Sequence, residues 1–279
     1  MMKQIVVGID GSENAATAMR WAVDEADLHG ADVEAVLAWS ELDQYHLERS
    51  EHFDPDYGED TARIALGSWV ADASGPEAEV AQTVVCDGPV RALLEAGDAA
   101  DLLVLGARGS GGFEGLLLGS VSDRVAQLAN RPVAVVRTAA PVRGGRVVVG
   151  IDGSARSRDA LRWAAAEALA REAILEIVHA WGLPMMTSPP VHAVIPNAST
   201  LEENGRAILD TAATDPALAG VTVNPHVVAG SPARALLERA TSAGLLVVGT
   251  RGFGRVAGAL LGSVSRQLLH HAPCPVVVI

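Results

Sequence analysis

The chain has 279 residues, 49% of them hydrophobic and 20% charged, with a formal net charge of −13. That apolar content excludes a disordered chain, and the length suits two domains of ordinary size. Aromatic residues make up only 4%, so the cores must be built from Val, Leu, Ile and Ala, and no apolar run approaches the roughly 18–20 residues that span a bilayer.

The N-terminus, MMKQIVVGID, carries one Lys and an apolar run that stops at Asp10. It is too short for a secretory leader, which predicts a cytoplasmic protein. The same run, buried on both faces, suits a parallel strand. Ser12 then caps a helix to about His29, with Ala16, Met19, Ala22, Val23 and Ala26 as its apolar face. A strand follows near 32–39, an irregular segment at 40–57, a helix near 58–74 and a strand near 78–86. A helix near 89–99, a strand at 101–106, a helix near 119–129 and a strand at 132–137 complete the unit.

That unit then repeats. GIDGS at 8–12 returns at 150–154, Trp21 as Trp163, and Ala38-Trp39 as Ala180-Trp181. Arg91-Ala92-Leu93-Leu94 returns as Arg234-Ala235-Leu236-Leu237, and Gly119-Ser120-Val121-Ser122 as Gly262-Ser263-Val264-Ser265. The period of about 140 residues is a domain, not a solenoid repeat of roughly 20–50. The expected organisation is domain 1 at 1–138, a linker at 139–145 and domain 2 at 146–279. Alternating strands and helices predict two tandem, doubly wound, open parallel five-stranded α/β sheets of strand order 3-2-1-4-5. The second long irregular segment, 182–199, is apolar and Pro-rich; the first is acidic and holds His46 and His52.

Charge is unevenly shared. Residues 1–140 hold nine basic and 24 acidic residues, residues 141–279 twelve and ten. So acidic a chain repels nucleic acid, and with Lys3 as its only lysine, cationic chemistry falls to arginine. Cys86 and Cys274 are too few for a disulfide framework or a four-cysteine zinc site and read as small buried hydrophobes.

In an open parallel sheet, ligands bind beyond the strand C-termini at the switch point, here between strands one and four. Asp10 ends strand one. Gly106, Gly109, Gly119 and Ser120 follow strand four in a G-x2-G-x9-G-S pattern that recurs at Gly249, Gly252, Gly262 and Ser263, with Asp152 upstream. Glycines let backbone N–H groups approach an anion, and Gly-Ser opens a helix whose N-terminus attracts phosphate. The hydroxyls of Ser120 and Ser122 add donors. Arg108 and Arg251 either contact terminal phosphate oxygens or pair with surface acids. A carboxylate at Asp10 suits ribose hydroxyls or a phosphate-bound divalent cation. Walker, GxGxxG, HExxH and GxSxG motifs are absent. No catalytic residue emerges.

With GIDGS and the glycine spacing present twice, each followed by V-S (Val121-Ser122, Val264-Ser265) and by the NRPVAVV and APCPVVV strands, the chain resembles the universal stress protein family in its tandem form. The resemblance implies an adenine nucleotide alpha hydrolase-like fold and one ATP site per domain, often with Mg²⁺. By position it implicates Asp10, Gly106, Gly109, Gly119 and Ser120, and Asp152, Gly249, Gly252, Gly262 and Ser263, with Ala38 and Ala180 near the adenine. It also implies a homodimer through the exposed edge of strand five, with no membrane or nucleic-acid partner. Three functions remain open: a nucleotide-dependent stress regulator, a slow ATPase, and an interaction or chaperone-like module with structural nucleotide. Gly112 against Arg255 and Glu114 against Ala257 predict tighter triphosphate binding in the second copy.

Overall fold

The computed structural model describes residues 2–40, 58–75, 78–110, 117–138, 143–182, 197–252 and 261–279. His46, His52, Gly112, Glu114, Arg255 and Ala257 lie outside these residues, as does most of both long irregular segments and part of the expected linker. The chain divides into two compact units, residues 1–142 with 269–278 and residues 143–268 with Ile279.

The first unit runs β1 (Gln4–Gly8), α1 (Glu13–His29), β2 (Asp32–Trp39), α2 (Glu59–Ser74), β3 (Val80–Cys86), α3 (Pro89–Gly97), β4 (Leu102–Gly106), α4 (Ser120–Leu128) and β5 (Val133–Val136). Its parallel strands lie in the order β3-β2-β1-β4-β5, as expected. β1 is central: Val7 stands opposite Ala35 on one side and Val104 on the other. Ile5, Val6 and Val7 are wholly buried, which is why the run is apolar at every position rather than at alternate ones.

α1 starts where Ser12 Oγ accepts the Ala15 N–H at 3.1 Å. It stops at Gly30, which closes the helix in a left-handed conformation. The buried stripe is Ala15, Ala18, Met19, Trp21, Ala22, Glu25 and Ala26. Ala16 and Val23, expected inside, are only half-buried. The stripe is rotated and widened because α1 packs against both the sheet and α2, with Ala15, Ala18 and Trp21 turned inward.

The second unit repeats the series: β6 (Arg146–Gly150), α5 (Ala155–Ala170), β7 (Ile174–Trp181), α6 (Ala198–Ala213), a 3-10 turn (Pro216–Leu218), β8 (Val223–Ala229), α7 (Pro232–Ala240) and β9 (Leu245–Val248), followed by α8 (Ser263–His271) and β10 (Val276–Val278). β6 pairs in parallel with β7 and β9, and β7 with β8. Ile279 bonds back to β9 through Val248 O (2.9 Å) and the Thr250 N–H (2.8 Å).

β10 falls in the first compact unit. It pairs antiparallel with β5, Val276 opposite Val135 and Val278 opposite Val133. The exposed edge expected at strand five is therefore covered within the chain. Burial of cysteine also departs from expectation. Cys274 is buried and burial pushes its thiol up to about 12. Cys86 is exposed, because β3 is an edge strand with a neighbour on one side only. Among the described residues no helix is long and apolar enough to cross a membrane.

Candidate functional site

Asp10 sits two residues past β1 and is tied to both loops at the switch point. Its Oδ1 accepts the Ser12 N–H at 3.1 Å and its Oδ2 accepts the Ser110 N–H at 2.7 Å. Ser12, besides capping α1, donates its hydroxyl to Arg108 O at 3.3 Å. The tip of β1 and the loop after β4 are thus fastened side by side. Gly109 stands where any Cβ would run into Asp10 Oδ2, so only glycine lets the carboxylate approach the loop this closely.

Gly119 is the N-cap of α4, its own N–H bonded to Ala107 O at 2.8 Å. No side chain caps this helix. Its first-turn N–H groups therefore keep their affinity for an anion, beside exposed Ser120 and half-buried Val121. Ser122 is buried and donates its hydroxyl to Gly106 O at 2.7 Å, holding α4 to the end of β4. Arg108 is exposed on the loop. Arg137 is close enough that, after burial, the Arg108 charge helps to hold its guanidinium below the usual value. Arg137 itself donates to Leu269 O and His270 O at 3.0 and 3.1 Å. Ala38 lies near the end of β2, opposite Val85.

The second copy is built alike. Asp152 Oδ1 accepts the Ser154 N–H at 3.0 Å, a Cβ at Gly252 would strike Asp152 Oδ2, and the Ser265 hydroxyl donates to Gly249 O at 2.8 Å. Here all nine residues predicted from the sequence meet around one cavity of about 300 Å³: Asp152, Ala180, Gly249, Arg251, Gly252, Gly262, Ser263, Val264 and Ser265. Sequence reasoning missed the apolar wall, supplied by Val178, Pro232, Leu236 and Val248. The repeated Arg-Ala-Leu-Leu carried the signal, since Leu236 lies in it and packs against Gly150, as Leu93 packs against Gly8.

The cavity has a polar end of glycine backbone and helix N-terminus, and an apolar end between β7, β9 and α7. That combination suits a ligand with a flat apolar part and an anionic tail. Among the described lining residues the one carboxylate is Asp152 and the one guanidinium Arg251, with neither histidine nor cysteine. The lining suits a bound ligand, and among the described residues it sets no acid beside a base.

The family model described as the universal stress protein family matches the chain twice, over residues 1–137 and 145–279. A universal stress protein of Mycolicibacterium smegmatis is 34% identical over 292 residues, covering 99% of this chain and 96% of that protein. One from Mycobacterium tuberculosis H37Rv is 31% identical over 290 residues, covering 98% and 96%. The crystal structure of a universal stress protein from Archaeoglobus fulgidus superposes with a TM-score of 0.67 at 21% identity, covering 99% of this chain and 97% of that one. Two matched domains and near-complete coverage by relatives above 30% identity lead to one conclusion: the chain belongs to the universal stress protein family, in a form that carries the domain twice.

Proposed function

We propose that the chain binds ATP, one molecule per copy, and acts as a nucleotide-dependent regulator in the stress response rather than as a catalyst. The observation that carries this reading is the duplicated clamp. In both copies a strand-end aspartate presses on a loop glycine, beside a helix opened by Gly-Ser. The ribose hydroxyls would meet Asp10 or Asp152, and the adenine would lie over the apolar wall by Ala38 or Ala180. The phosphates would lie beside Gly109 or Gly252 and take the first-turn N–H groups that follow Gly119 or Gly262, those of Ser120 and Val121 or of Ser263 and Val264, with Arg108 or Arg251 at the tail.

The residues fit Mg²⁺ as a phosphate-bound ion, not as one caged by protein. Each clamp offers one carboxylate, and Asp10 already accepts two backbone N–H groups. Mg²⁺ characteristically takes one or two carboxylates with substrate phosphates and water. Bound, it would neutralise phosphate charge. The reading also includes a cytoplasmic protein and a homodimer. Because β10 already covers β5, the dimer would use another surface.

The test is to purify the chain without added nucleotide, saturate it with ATP and Mg²⁺, denature it and count what is released. Two ATP per chain are expected, falling to one in Asp10→Ala and in Asp152→Ala. No retention at millimolar ATP sinks the reading. Steady turnover lost only in the double variant would favour the slow ATPase.

A further inference from the structure

The two copies differ beside the nucleotide clamp, in the groove between α1 and α2 and its counterpart between α5 and α6. In the first copy that groove is filled from within. The indole of Trp69, on α2, lies over Gly11 at the start of α1. A Cβ on Gly11 would come 2.5 Å from Trp69 Cζ2 and 3.0 Å from Cη2. In the second copy Gly153 takes the place of Gly11, again at positive φ. α6 takes the place of α2, and the two helices have the same length of 16 residues. Their buried positions correspond, Leu66, Val70 and Ala73 with Gly205, Leu209 and Ala212. In that register Trp69 is replaced by Ile208.

The exchange leaves a cavity of about 270 Å³, with Ile151, Gly153, Leu161, Ile208 and Ala212 in its lining. Three of its four polar side chains are already committed, and the fourth, Arg158, is exposed. Ser157 donates its hydroxyl to Ser154 O at 3.0 Å, and Thr211 donates to Ala207 O at 2.8 Å. Asp215 accepts from Arg162 Nε at 2.9 Å and from the Ala217 N–H at 3.0 Å. Apart from Arg158, the surface that remains is apolar. It holds none of Gly249, Gly252, Gly262 or Ser263, which line the nucleotide cavity, and it is larger than the ~150 Å³ apolar cavity that admits benzene. It shares Ile151 and Ser157 with the nucleotide cavity but is otherwise a separate space.

We propose that this groove is a binding site for a planar bicyclic aromatic molecule of the size of indole, present in the second copy only. The occupant is argued from the first copy, where the same backbone frame closes on an indole that the chain itself provides. The test uses the full chain and indole as the probe, followed by ligand-observed NMR and calorimetry, with and without ATP.

Wild type is expected to bind one indole per chain saturably, whether or not ATP is present. Ile208→Trp, which refills the groove as Trp69 does, should weaken binding at least tenfold while leaving two ATP per chain. Trp69→Ile should raise the stoichiometry from one indole to two. No saturable binding to wild type, or binding unchanged by Ile208→Trp, overturns the proposal. Where Ile208→Trp does not fold, Trp69→Ile decides: an unchanged stoichiometry of one overturns it.

Discussion

At the residue scale, the clamp depends on one missing methyl group in each copy. Asp10 and Asp152 lie against Gly109 and Gly252 so closely that alanine at either glycine must displace the carboxylate or the loop. We expect Gly109→Ala or Gly252→Ala each to remove one bound ATP per chain, read by the same release assay, with ATP affinity at the altered copy down at least tenfold. Strain of this kind costs about 1–3 kcal/mol, so the chain should stay folded in a thermal melt. Away from the clamp the copies trade bulk across an interface. Leu37 on β2 and Leu66 on α2 are buried, and their counterparts are His179 on β7 and Gly205 on α6. Gly205 leaves room for the imidazole, since a Cβ there would come 2.9 Å from His179 Cδ2. The ring then bonds Ile151 O through Nδ1 at 2.9 Å, so a buried polar group is satisfied where the first copy has none.

At the scale of elements, corresponding strands reach the same position by different electrostatics. Glu34 on β2 accepts from the Thr83 hydroxyl (2.7 Å) and Gln4 Nε2 (3.1 Å), both neutral. Its counterpart Glu176 on β7 is buried and accepts from Arg146 Nη1 and Arg239 Nη1, each at 3.1 Å, with His226 at 3.9 Å. Burial opposes the charge on Glu176, but the two arginines outweigh it and hold the carboxyl below its ordinary value. Burial, then Arg239, lowers His226, against the pull of Glu176. A carboxyl lowered by folding adds stability above its unfolded value of roughly 4.3, and that stability is lost as pH falls through the folded value. Glu176→Gln should therefore cost about 1–3 kcal/mol at pH 7. In urea melts across pH 7 to 3 the difference from wild type should shrink towards acid. A constant difference would show that the charge is immaterial there.

At the scale of the whole molecule, β10 decides how the first unit ends. The four residues of β5 are fully buried, and β10 lies along its outer edge. Pro132 O and Val136 O bond to the β4 side, so by alternation Val133 and Val135 turn their backbone groups towards β10. A fragment of residues 1–142 would leave those groups as an unpaired template for another strand. We expect the fragment to dimerise in light scattering. Val135→Pro, which removes a donor from that outer edge, should return the folded fragment to monomer. A monomeric parent fragment would show that the β5 edge is not adhesive by itself.

The repeat, the order of elements, the strand order of the first unit and the nine residues that line the second copy's cavity were all legible in the amino-acid pattern. Local pattern suffices for these: buried parallel strands are apolar throughout, helices open on Ser or after Gly, and right-handed crossovers leave few topologies. The remaining features depend on residues far apart in the chain. The rotated stripe on α1 follows from packing on a second layer. The apolar wall of the cavity comes partly from α7, whose periodicity alone does not say which end faces a ligand. The exposure of Cys86 and the pairing of β10 with β5 reflect which strand lies at an edge, a matter of long-range neighbours that no local window contains. The open groove beneath Ile208 is of the same kind, because its walls come from the end of β6, α5 and α6, which are far apart in the chain.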